Sequence, residues 1–251
     1  MFYRFTPDSR RKCIDLKDTY SGTIFLCGGH PSLNQEPLDL LYKPGIVTMA
    51  MNNTGTVFKP NLWVCADKAM CYSGSIIEDP SIQKFPRLLY QDDIIHETPL
   101  KRWKHMPNTY FYGVSEDFKY HQILETSSLF VWWKNVFMIA VQLCHHLGFR
   151  KVYCCGTAFK IPDEKHYAYD VNLSPTQVDY NKRTYHNALG NFVRCQRFLE
   201  QGGMEFISCT PDSSINNHIP YIPFTEAIEQ TRAKLPEPNL TQVKHSSETS
   251  K

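Results

Sequence analysis

The chain has 251 residues, of which 42% are hydrophobic, and this is enough to bury the core of one substantial domain. Its 27 basic and 25 acidic residues leave a formal net charge of +2, so the overall charge gives no argument for a dedicated nucleic-acid binder. No apolar run approaches the roughly 20 residues of a membrane-spanning helix, and the polar, basic stretch 1–17 lacks the apolar segment of an export signal.

The nine cysteines indicate a reducing compartment. Their number is odd, no Cys-x-x-Cys pair is present, and several lie in apolar segments, where a thiol acts as a small core residue. Those in apolar segments are Cys27, Cys65, Cys154, Cys155 and Cys209. His145 and His146 follow Cys144, but adjacent side chains diverge on a helix and make poor metal ligands. We therefore predict a cytoplasmic protein without a structural metal.

An apolar stretch, residues 23–27, runs into the turn Gly28-Gly29-His30 and then into Pro31 and Ser32. Such a run is typical of a buried parallel strand, while proline and serine suit the first turn of a helix. Because amides at a helix start attract phosphate, this turn is a candidate cradle for a phosphorylated ligand. An ordinary strand-to-helix turn explains the same residues. The glycine spacing matches neither the Rossmann fingerprint nor the P-loop.

Two further strands are predicted close behind, at residues 46–51 and 62–66, with a polar lead-in over 1–22 and a short helix over 37–42. Short segments between such strands favour an α/β sheet with parallel pairing. The strands end at Gly28, Asn52 and Asp67, which should then lie along one edge of the sheet, where ligands of open α/β sheets bind. Alternatively, Asn52 and Asp67 only close turns by bonding their own backbone.

The rest of the chain predicts two long helices and two more strands. Apolar residues at helical spacing over 132–147 predict a helix that Gly148 ends, followed by a strand over 152–156. A second amphipathic helix is predicted over 180–201 and a last strand over 205–210. Residues 84–90 and 109–114 are weaker strand candidates, and 101–105 are interpreted as an exposed loop or helix.

A long polar and aromatic segment, residues 157–181, separates the fourth strand from the second helix. A loop of this length in a compact domain is more often functional than idle, and we interpret it as a lid. The tail over 236–251 has almost no apolar residues and is predicted to be disordered.

Three sets of residues, taken in order, point to a family. The first is Gly28-x-x-Pro31-Ser32-Leu33 with Asn52 and Asp67 after the next two strands. The second is Leu147-Gly148, Lys151-Val152-Tyr153, Gly156, Phe159 and Tyr167-Ala168-Tyr169-Asp170. The third is His186, Phe198-Leu199-Glu200 and Cys209-x-Pro211-x-Ser213. Together they resemble the bacterial sialyltransferases related to the Campylobacter lipooligosaccharide enzymes and, more loosely, the archaeal 6-hydroxymethylpterin diphosphokinases.

The resemblance implies a single Rossmann-like domain, a variant of the GT-A type, with a mostly parallel sheet and a lid subdomain. Its divisions would be a lead-in over 1–22, a nucleotide-binding core over 23–156, a lid over 157–182, a C-terminal helix and strand over 183–235 that complete the core, and the tail over 236–251. It also implies a glycosyltransferase that takes a sugar from a nucleotide-activated donor as co-substrate. Such an enzyme needs no metal or other cofactor and uses a histidine as general base.

On this resemblance the candidate catalytic residues are His186 as general base, Tyr167 on the leaving phosphate, and Tyr169. The candidate substrate-binding residues are Gly28, Gly29, His30, Ser32, Asn52, Asn53, Asp67, Lys134, Asn135, Gly156, Thr157, Lys160, Arg183 and Ser213. Histidine suits a base near neutral pH, and phenols, lysines or arginines suit a departing phosphate. The alternatives are that His186 is a surface residue and that the two tyrosines only pack the lid.

Several positions depart from the family pattern. They are Gly29-His30 in place of Asn-Gly, Asp67 in place of an asparagine, Asn135-Val136-Phe137 in place of Thr-Ser-Gly, Gly156-Thr157-Ala158 in place of Gly-x-Asp, and a replaced lid tyrosine near Lys160. These changes favour a nucleotide sugar other than CMP-sialic acid, or another phosphorylated substrate.

The acceptor hydroxyl could belong to a glycan or to a modified nucleobase in DNA, and the protein could form homo-oligomers. A DNA acceptor predicts that basic residues of 101–104 and 183–197 share a face with the pocket. Two other functions stay open. One is a Mg²⁺-dependent diphosphotransferase of the pterin type, with Asp67 as a metal ligand. The other is a non-catalytic nucleotide-binding module, which the missing carboxylate suggests.

Overall fold

The computed structural model describes residues 2–95, 98–117, 119–125, 129–162 and 164–233, with the backbone alone at 98–100. In chain order the strands are β1 (Phe2–Phe5), β2 (Arg11–Ile14), β3 (Thr23–Cys27), β4 (Thr48–Met51), β5 (Leu62–Val64), β6 (Gln83–Phe85), β7 (Ile94–Ile95), β8 (Thr98–Arg102), β9 (Phe111–Tyr112), β10 (Val114–Ser115), β11 (Phe130–Val131), β12 (Lys151–Cys155) and β13 (Glu205–Ser208). The α-helices are α1 (Gly74–Glu78), α2 (Val136–Leu147), α3 (Pro175–Gln201) and α4 (Phe224–Arg232). The tail predicted to be disordered, 236–251, lies outside the described residues.

Six of the described strands form one parallel sheet in the order β13-β12-β3-β4-β5-β6. This confirms the predicted α/β class and its parallel pairing. The strands predicted over 46–51, 62–66, 152–156 and 205–210 are β4, β5, β12 and β13, with ends displaced by one or two residues. Because the pairing is parallel, the carboxyl ends of β3, β4, β5 and β12 meet at the same edge of the sheet.

Alternation along each strand divides the core between the two faces of the sheet. Ile24 and Leu26 of β3 face the side on which α2 and α3 pack, whereas Phe25 and Cys27 face the side that α4 covers. All four side chains are fully buried. Burial on both faces explains why β3 has a continuous apolar sequence instead of an alternating one.

The N-terminal residues are a β-hairpin and not the polar lead-in that the sequence predicts. β1 pairs antiparallel with β2 and with β9. Phe2 is fully buried, and its ring packs edge-on against Phe85, Phe130 and His146. Because residues 6–12 are mostly polar, the sequence around Phe2 does not indicate that its side chain is buried.

The middle of the chain is built from short strands and 3₁₀ turns. Of the predicted strand 84–90, only β6 is present, because Pro86 lacks the N–H that would continue the ladder. The segment 109–114 contributes β9 and the start of β10. The stretch 101–105, predicted as an exposed loop or helix, ends in the 3₁₀ turn Trp103–His105, but Trp103 is fully buried against Trp63 and Phe111.

Both long helices are present, but they begin elsewhere than predicted. α2 begins at Val136 and not at residue 132, because Asn135 Oδ1 accepts a hydrogen bond from the N–H of Phe137 at 2.8 Å and caps the helix. α3 begins at Pro175 and not at residue 180, because Ser174 and Gln177 form a capping box. The helix therefore includes 175–182 of the predicted lid and leaves a loop over 157–174. The movement of that loop as a lid stays a prediction.

All nine cysteines lie within the described residues and none of them forms a disulfide. The five that the sequence places in the core are buried. Among the described helices, none combines the length and the apolar character that a membrane span requires.

Candidate functional site

A cleft with a volume of about 410 Å³ opens at the carboxyl ends of β3, β4, β5 and β12, against the loop 157–174 and the first turns of α3. We call it the strand-end cleft. It lies where open α/β sheets bind their ligands. The candidate residues from the sequence that line it are Gly28, Gly29, His30, Asn52, Asp67, Lys134, Asn135, Gly156, Thr157, Lys160, Tyr167 and Tyr169.

Two glycine turns at the base of the cleft fix β3 against β12. The N–H of Gly28 donates to the Cys155 carbonyl at 2.8 Å, and the N–H of His30 donates to the Gly156 carbonyl at 2.9 Å. A Cβ on Gly28 would lie 2.6 Å from the Gly156 carbonyl oxygen, so no side chain fits there. The protein itself therefore uses two amides of the expected phosphate cradle. The helix expected after this turn is a single 3₁₀ turn, Pro31–Gln35, and offers no extended helix start.

Three side-chain polar atoms around these turns are buried without a hydrogen-bond partner among the described residues. They are Thr54 Oγ1, Thr157 Oγ1 and His30 Nε2. Thr54 is 1% exposed and Thr157 is 6% exposed, and all three residues line the strand-end cleft. Because an unsatisfied buried polar group costs about 1–3 kcal/mol, three such atoms beside one cleft make the cleft a candidate site for a polar ligand.

His30 is held as a neutral hydrogen-bond donor. Its Nδ1 accepts from the N–H of Ser32 at 3.3 Å and lies 2.9 Å from Ser32 Oγ. Because Nδ1 accepts, the neutral ring carries its proton on Nε2. Burial, and then the positive charge of Lys160, lower the pKa of His30 to about 4. At neutral pH the ring therefore supplies an N–H and not a base.

A tyrosine that the sequence analysis did not identify joins the residues that follow β4 and β5. The Tyr72 hydroxyl shares its proton between Asn52 Oδ1 at 3.0 Å and Asp67 Oδ2 at 3.3 Å, and it accepts from the N–H of Asp67 at 3.0 Å. Burial raises the pKa of Tyr72, so the phenol stays a donor. Asn52 keeps its Nδ2 as a donor, and the exposed Asp67 contributes a carboxylate to the cleft lining.

Tyr167 and Tyr169 form the opposite wall of the cleft. Their rings stack with centroids 5.1 Å apart and planes 7° from parallel, and a Cβ on Gly29 would lie 3.0 Å from the Tyr169 ring. The Tyr167 hydroxyl accepts from Asn181 Nδ2 at 2.9 Å and from the Tyr185 hydroxyl at 3.0 Å, which leaves its own proton for a ligand. Burial raises the pKa of Tyr167 and of Tyr169, so both phenols stay protonated.

Positive charge lies at the mouth of the cleft. Lys134 and Lys160 are exposed and line it, and the N-terminal residues Val136 and Phe137 of α2 line it as well. The positive end of the α2 dipole therefore faces the same space. Asn135 uses its Oδ1 to cap α2, so only its Nδ2 remains for the substrate role that the sequence predicts.

The structure does not bring His186 into the cleft. His186 is exposed and, with Arg183, lines a neighbouring depression on α3, and it is not one of the residues that line the cleft. Tyr185 faces the cleft, and the next residue of an α-helix projects about 100° away from it. The resemblance implies that His186 and Tyr167 act on one substrate, but the two side chains lie in different depressions.

Three other candidate substrate-binding residues lie outside the lining and support the backbone. Ser213 Oγ donates to the Thr157 carbonyl at 2.7 Å and caps the 3₁₀ turn Ser214–Asn217. Asn53 Nδ2 donates to the Cys71 carbonyl at 3.1 Å. Ser32 orients the His30 ring, as described above. Ser213 and Ser32 therefore position residues of the cleft.

Several residues of the site are not evident from the sequence. They are Thr54, Tyr72, Trp132, His166, Asn181 and Tyr185. The spacing of Asn181 and Tyr185, one helical turn apart, is a signal that both face the same way. Tyr72 gives no such signal, because it acts from beneath the cleft through a turn whose shape the sequence does not reveal.

The described residues contain no group of three or more His, Cys, Asp or Glu side chains that could hold a metal ion. No protein-family model matches the sequence, and no curated protein is significantly similar to it. Among solved structures, a MAf glycosyltransferase from Magnetospirillum magneticum AMB-1 is similar, with a TM-score of 0.49 and 11% sequence identity. The similarity covers 86% of this chain and 38% of that protein, so this chain spans little more than a third of its length. A similarity this weak carries no argument about function, and the sialyltransferase resemblance stays a prediction.

Proposed function

We propose that the protein is a glycosyltransferase, which binds a nucleotide-activated sugar in the strand-end cleft and transfers the sugar to an acceptor hydroxyl. The observation that carries this proposal is that three residues lining one cleft at the sheet edge, Thr54, Thr157 and His30, each bury a polar side-chain atom without a partner among the described residues. The oxygens of a phosphate group are acceptors that suit hydroxyl and imidazole N–H donors of this kind. The cleft volume of about 410 Å³ lies within the usual range for a bound small molecule.

The charge and the shape of the cleft favour an anionic, ring-containing ligand. Lys134 and Lys160 supply positive charge at its mouth. The stacked rings of Tyr167 and Tyr169 offer an aromatic surface for a base or a sugar ring. The Tyr167 hydroxyl, which accepts its two hydrogen bonds from Asn181 and Tyr185, can donate its own hydrogen to the departing phosphate.

In the proposed step, the acceptor oxygen forms a bond to the anomeric carbon while the bond from that carbon to the phosphate oxygen breaks. The electron pair of the broken bond stays on the departing phosphate, which Lys134, Lys160 and Tyr167 stabilise. The proton of the acceptor hydroxyl passes to the Asp67 carboxylate as general base. Side chains alone perform this step, and it requires no metal or other cofactor.

Asp67 is assigned as the base on geometric grounds. It lines the cleft, and Tyr72 fixes its carboxylate. His186 lines a different depression, and the Nδ1 of His30 is already engaged by Ser32. We therefore propose as the base Asp67, which the sequence analysis predicts as a substrate-binding residue, in place of His186.

The first test is a thermal-shift series with CMP, UDP, GDP and ADP and their sugar conjugates. A ligand that binds the native state raises its melting temperature in proportion to the logarithm of its concentration. We expect one nucleotide series to raise the melting temperature and the others to leave it unchanged. If no nucleotide shifts the melting temperature at millimolar concentration, the proposal fails.

The second test separates catalysis from binding. With the nucleotide sugar identified, Asp67→Asn should lower the rate of product formation by about 10²–10⁴ and keep the thermal shift. Loss of product in His186→Ala with activity retained in Asp67→Asn would return the base to His186. Binding without any sugar transfer or hydrolysis in the unaltered protein would identify a non-catalytic nucleotide-binding module instead.

A further inference from the structure

The exposed face of α3 continues from the strand-end cleft as a groove. Two depressions run along it. The first shares Lys134, Tyr180 and Thr184 with the cleft, and the second shares Arg194 with the first. We call these two depressions the α3 groove. Because neighbouring depressions share lining residues, the groove leads directly into the site proposed for sugar transfer.

Arginines form one stripe along this groove. Arg183, Arg194 and Arg197 are separated by eleven and three residues, which places them on the same face of the helix. At 1.5 Å per residue, the stripe is about 21 Å long. All three side chains are exposed, and none forms an ion pair with a carboxylate of the described residues. Among the described residues that line the two depressions, none is acidic.

Aromatic rings lie beside two of these cations. The Arg194 guanidinium lies 5.7 Å from the centre of the Tyr120 ring, and the Arg197 guanidinium lies 4.5 Å from the centre of the Phe198 ring. Tyr120 in turn stacks on Trp133, with centroids 6.2 Å apart and planes 11° from parallel. The groove therefore combines cations that have no carboxylate partner among the described residues with aromatic rings next to two of them.

Gly190 lies within this stripe, in the interior of a 27-residue helix. A glycine there costs about 1 kcal/mol relative to alanine. Packing does not require it, because a Cβ at this position would meet no atom within 4 Å. A glycine in open space beside two arginines is explained if a partner approaches the helix backbone closely at that point.

We propose that the α3 groove binds a single strand of nucleic acid, one nucleotide of which enters the strand-end cleft as the acceptor. Arginine forks match phosphate oxygens, and interleaved rings stack on bases without regard to sequence. The stripe is long enough to contact several consecutive phosphates of an extended strand. The formal net charge of +2 for the whole chain is compatible with this, because the described lining of the groove carries cations and no carboxylate. The acceptor assignment rests on the proposed function, whereas binding of the strand does not.

The test is fluorescence anisotropy of a labelled single-stranded oligonucleotide with the full chain. The triple variant Arg183→Glu, Arg194→Glu, Arg197→Glu should lose affinity on the order of a hundredfold at about 0.1 M salt. The slope of log affinity against log salt should fall by about two. A matched triple variant, Lys12→Glu, Lys43→Glu, Arg232→Glu, makes the same change in charge at exposed positions elsewhere and should bind within about twofold of the unaltered protein.

Substitutions at Gly190 provide a second test that does not depend on charge. Gly190→Ala should keep or raise the melting temperature, because alanine is the better helix former. Gly190→Gln should fold equally well but lower the affinity for the oligonucleotide at least about tenfold, because its side chain occupies the space next to the backbone. Unchanged affinity in the folded Gly190→Gln variant overturns the close approach at this position.

Other outcomes overturn the proposal in recognisable ways. An equal loss of affinity in both triple variants would mean that binding depends on the net charge of the protein and not on the arginines of the groove. If a sulfated polysaccharide competes with the labelled oligonucleotide as well as the unlabelled oligonucleotide does, the ligand of the groove is an anionic glycan and not nucleic acid. If duplex DNA binds more tightly than the single strand, the ligand is not a single strand. If the oligonucleotide binds but no nucleotide shifts the melting temperature, the proposed function fails and the groove assignment stands.

Discussion

The hydroxyl of Tyr72 lies 3.0 Å from Asn52 Oδ1 and thereby joins the ends of two neighbouring strands beneath the strand-end cleft. Tyr72→Phe removes that contact and leaves the N–H groups of Ala66 and Asp67 without their acceptor. We expect a loss of about 1–3 kcal/mol in the free energy of unfolding, measured by urea titration, and a weaker nucleotide-induced thermal shift.

The matched control for this change is Tyr153→Phe. Its hydroxyl donates to Gln230 Oε1 of α4 at 2.9 Å, on the sheet face away from the cleft. This variant should lose stability but keep the ligand-induced shift. An equal weakening of ligand binding in both variants would mean that Tyr72 acts only through general stability.

Thr157→Val is expected to separate stability from binding. The Thr157 hydroxyl has no partner among the described residues, so its replacement by a methyl group removes a buried polar atom without breaking a bond. The melting temperature should stay the same or rise, while the affinity for the nucleotide falls by about tenfold, as for one lost hydrogen bond to a charged group. Both quantities follow from one thermal-shift titration.

Thr231→Val is the control for that experiment. Thr231 is equally buried, but its hydroxyl donates to the Ala227 carbonyl at 2.8 Å on α4, away from the cleft. The expected pattern is the reverse, with lower stability and unchanged affinity. A fall in melting temperature for Thr157→Val would show that its hydroxyl has a structural partner and would remove one of the three atoms on which the proposed function depends.

The sequence predicted the parallel sheet because each of its strands is buried on both faces, and burial gives continuous apolar runs such as 23–27. It did not predict the N-terminal hairpin, since one buried ring, that of Phe2, fixes that hairpin through contacts distant in the chain. The predicted first residues of both long helices were wrong for a different reason. Apolar spacing extends N-terminal to the start of α2, whereas α3 begins with mostly polar residues, and only the capping side chains Asn135 and Ser174 define where each helix begins.

The sequence predicts the site residues that follow strands, but not those whose place depends on which face of a helix points to the cleft. Gly28, Asn52 and Asp67 line one cleft because parallel strands deliver their carboxyl ends to one edge. His186 lies outside it because the register of α3 turns Tyr185 and not its neighbour toward the cleft. One residue along a helix is about 100° in direction, which a resemblance between short motifs does not resolve.

The two glycines of the first turn should respond differently to alanine. In Gly28→Ala the new Cβ would lie 2.6 Å from the Gly156 carbonyl oxygen, a backbone atom that cannot yield. We expect a loss of at least about 2–3 kcal/mol in the free energy of unfolding, or insoluble protein. In Gly29→Ala the new Cβ would lie 3.0 Å from the Tyr169 ring and 3.4 Å from Thr54 Oγ1, which are side-chain atoms. That variant should fold, with a smaller loss, and bind nucleotide weakly. Equal stability of the two variants, by urea titration, contradicts this account.

The pKa of His30 gives the stability of the protein a defined dependence on pH. The folded state lowers this pKa from its ordinary value of 6.5 to about 4, with burial as the main cause. Between these two values the unfolded chain binds a proton that the folded protein does not, so stability rises with pH across this window and is lost as the pH falls from 6.5 to 4. His30→Gln, which cannot titrate, should therefore show a flatter profile of melting temperature between pH 7 and pH 4.5.

His145, whose pKa is also lowered to about 4 and which lines a different depression, is the control. His145→Gln should flatten the profile as well but keep the nucleotide-induced shift, whereas His30→Gln should weaken it. Parallel profiles for His30→Gln and the unaltered protein would mean that His30 titrates normally and is not the neutral donor that the cleft requires.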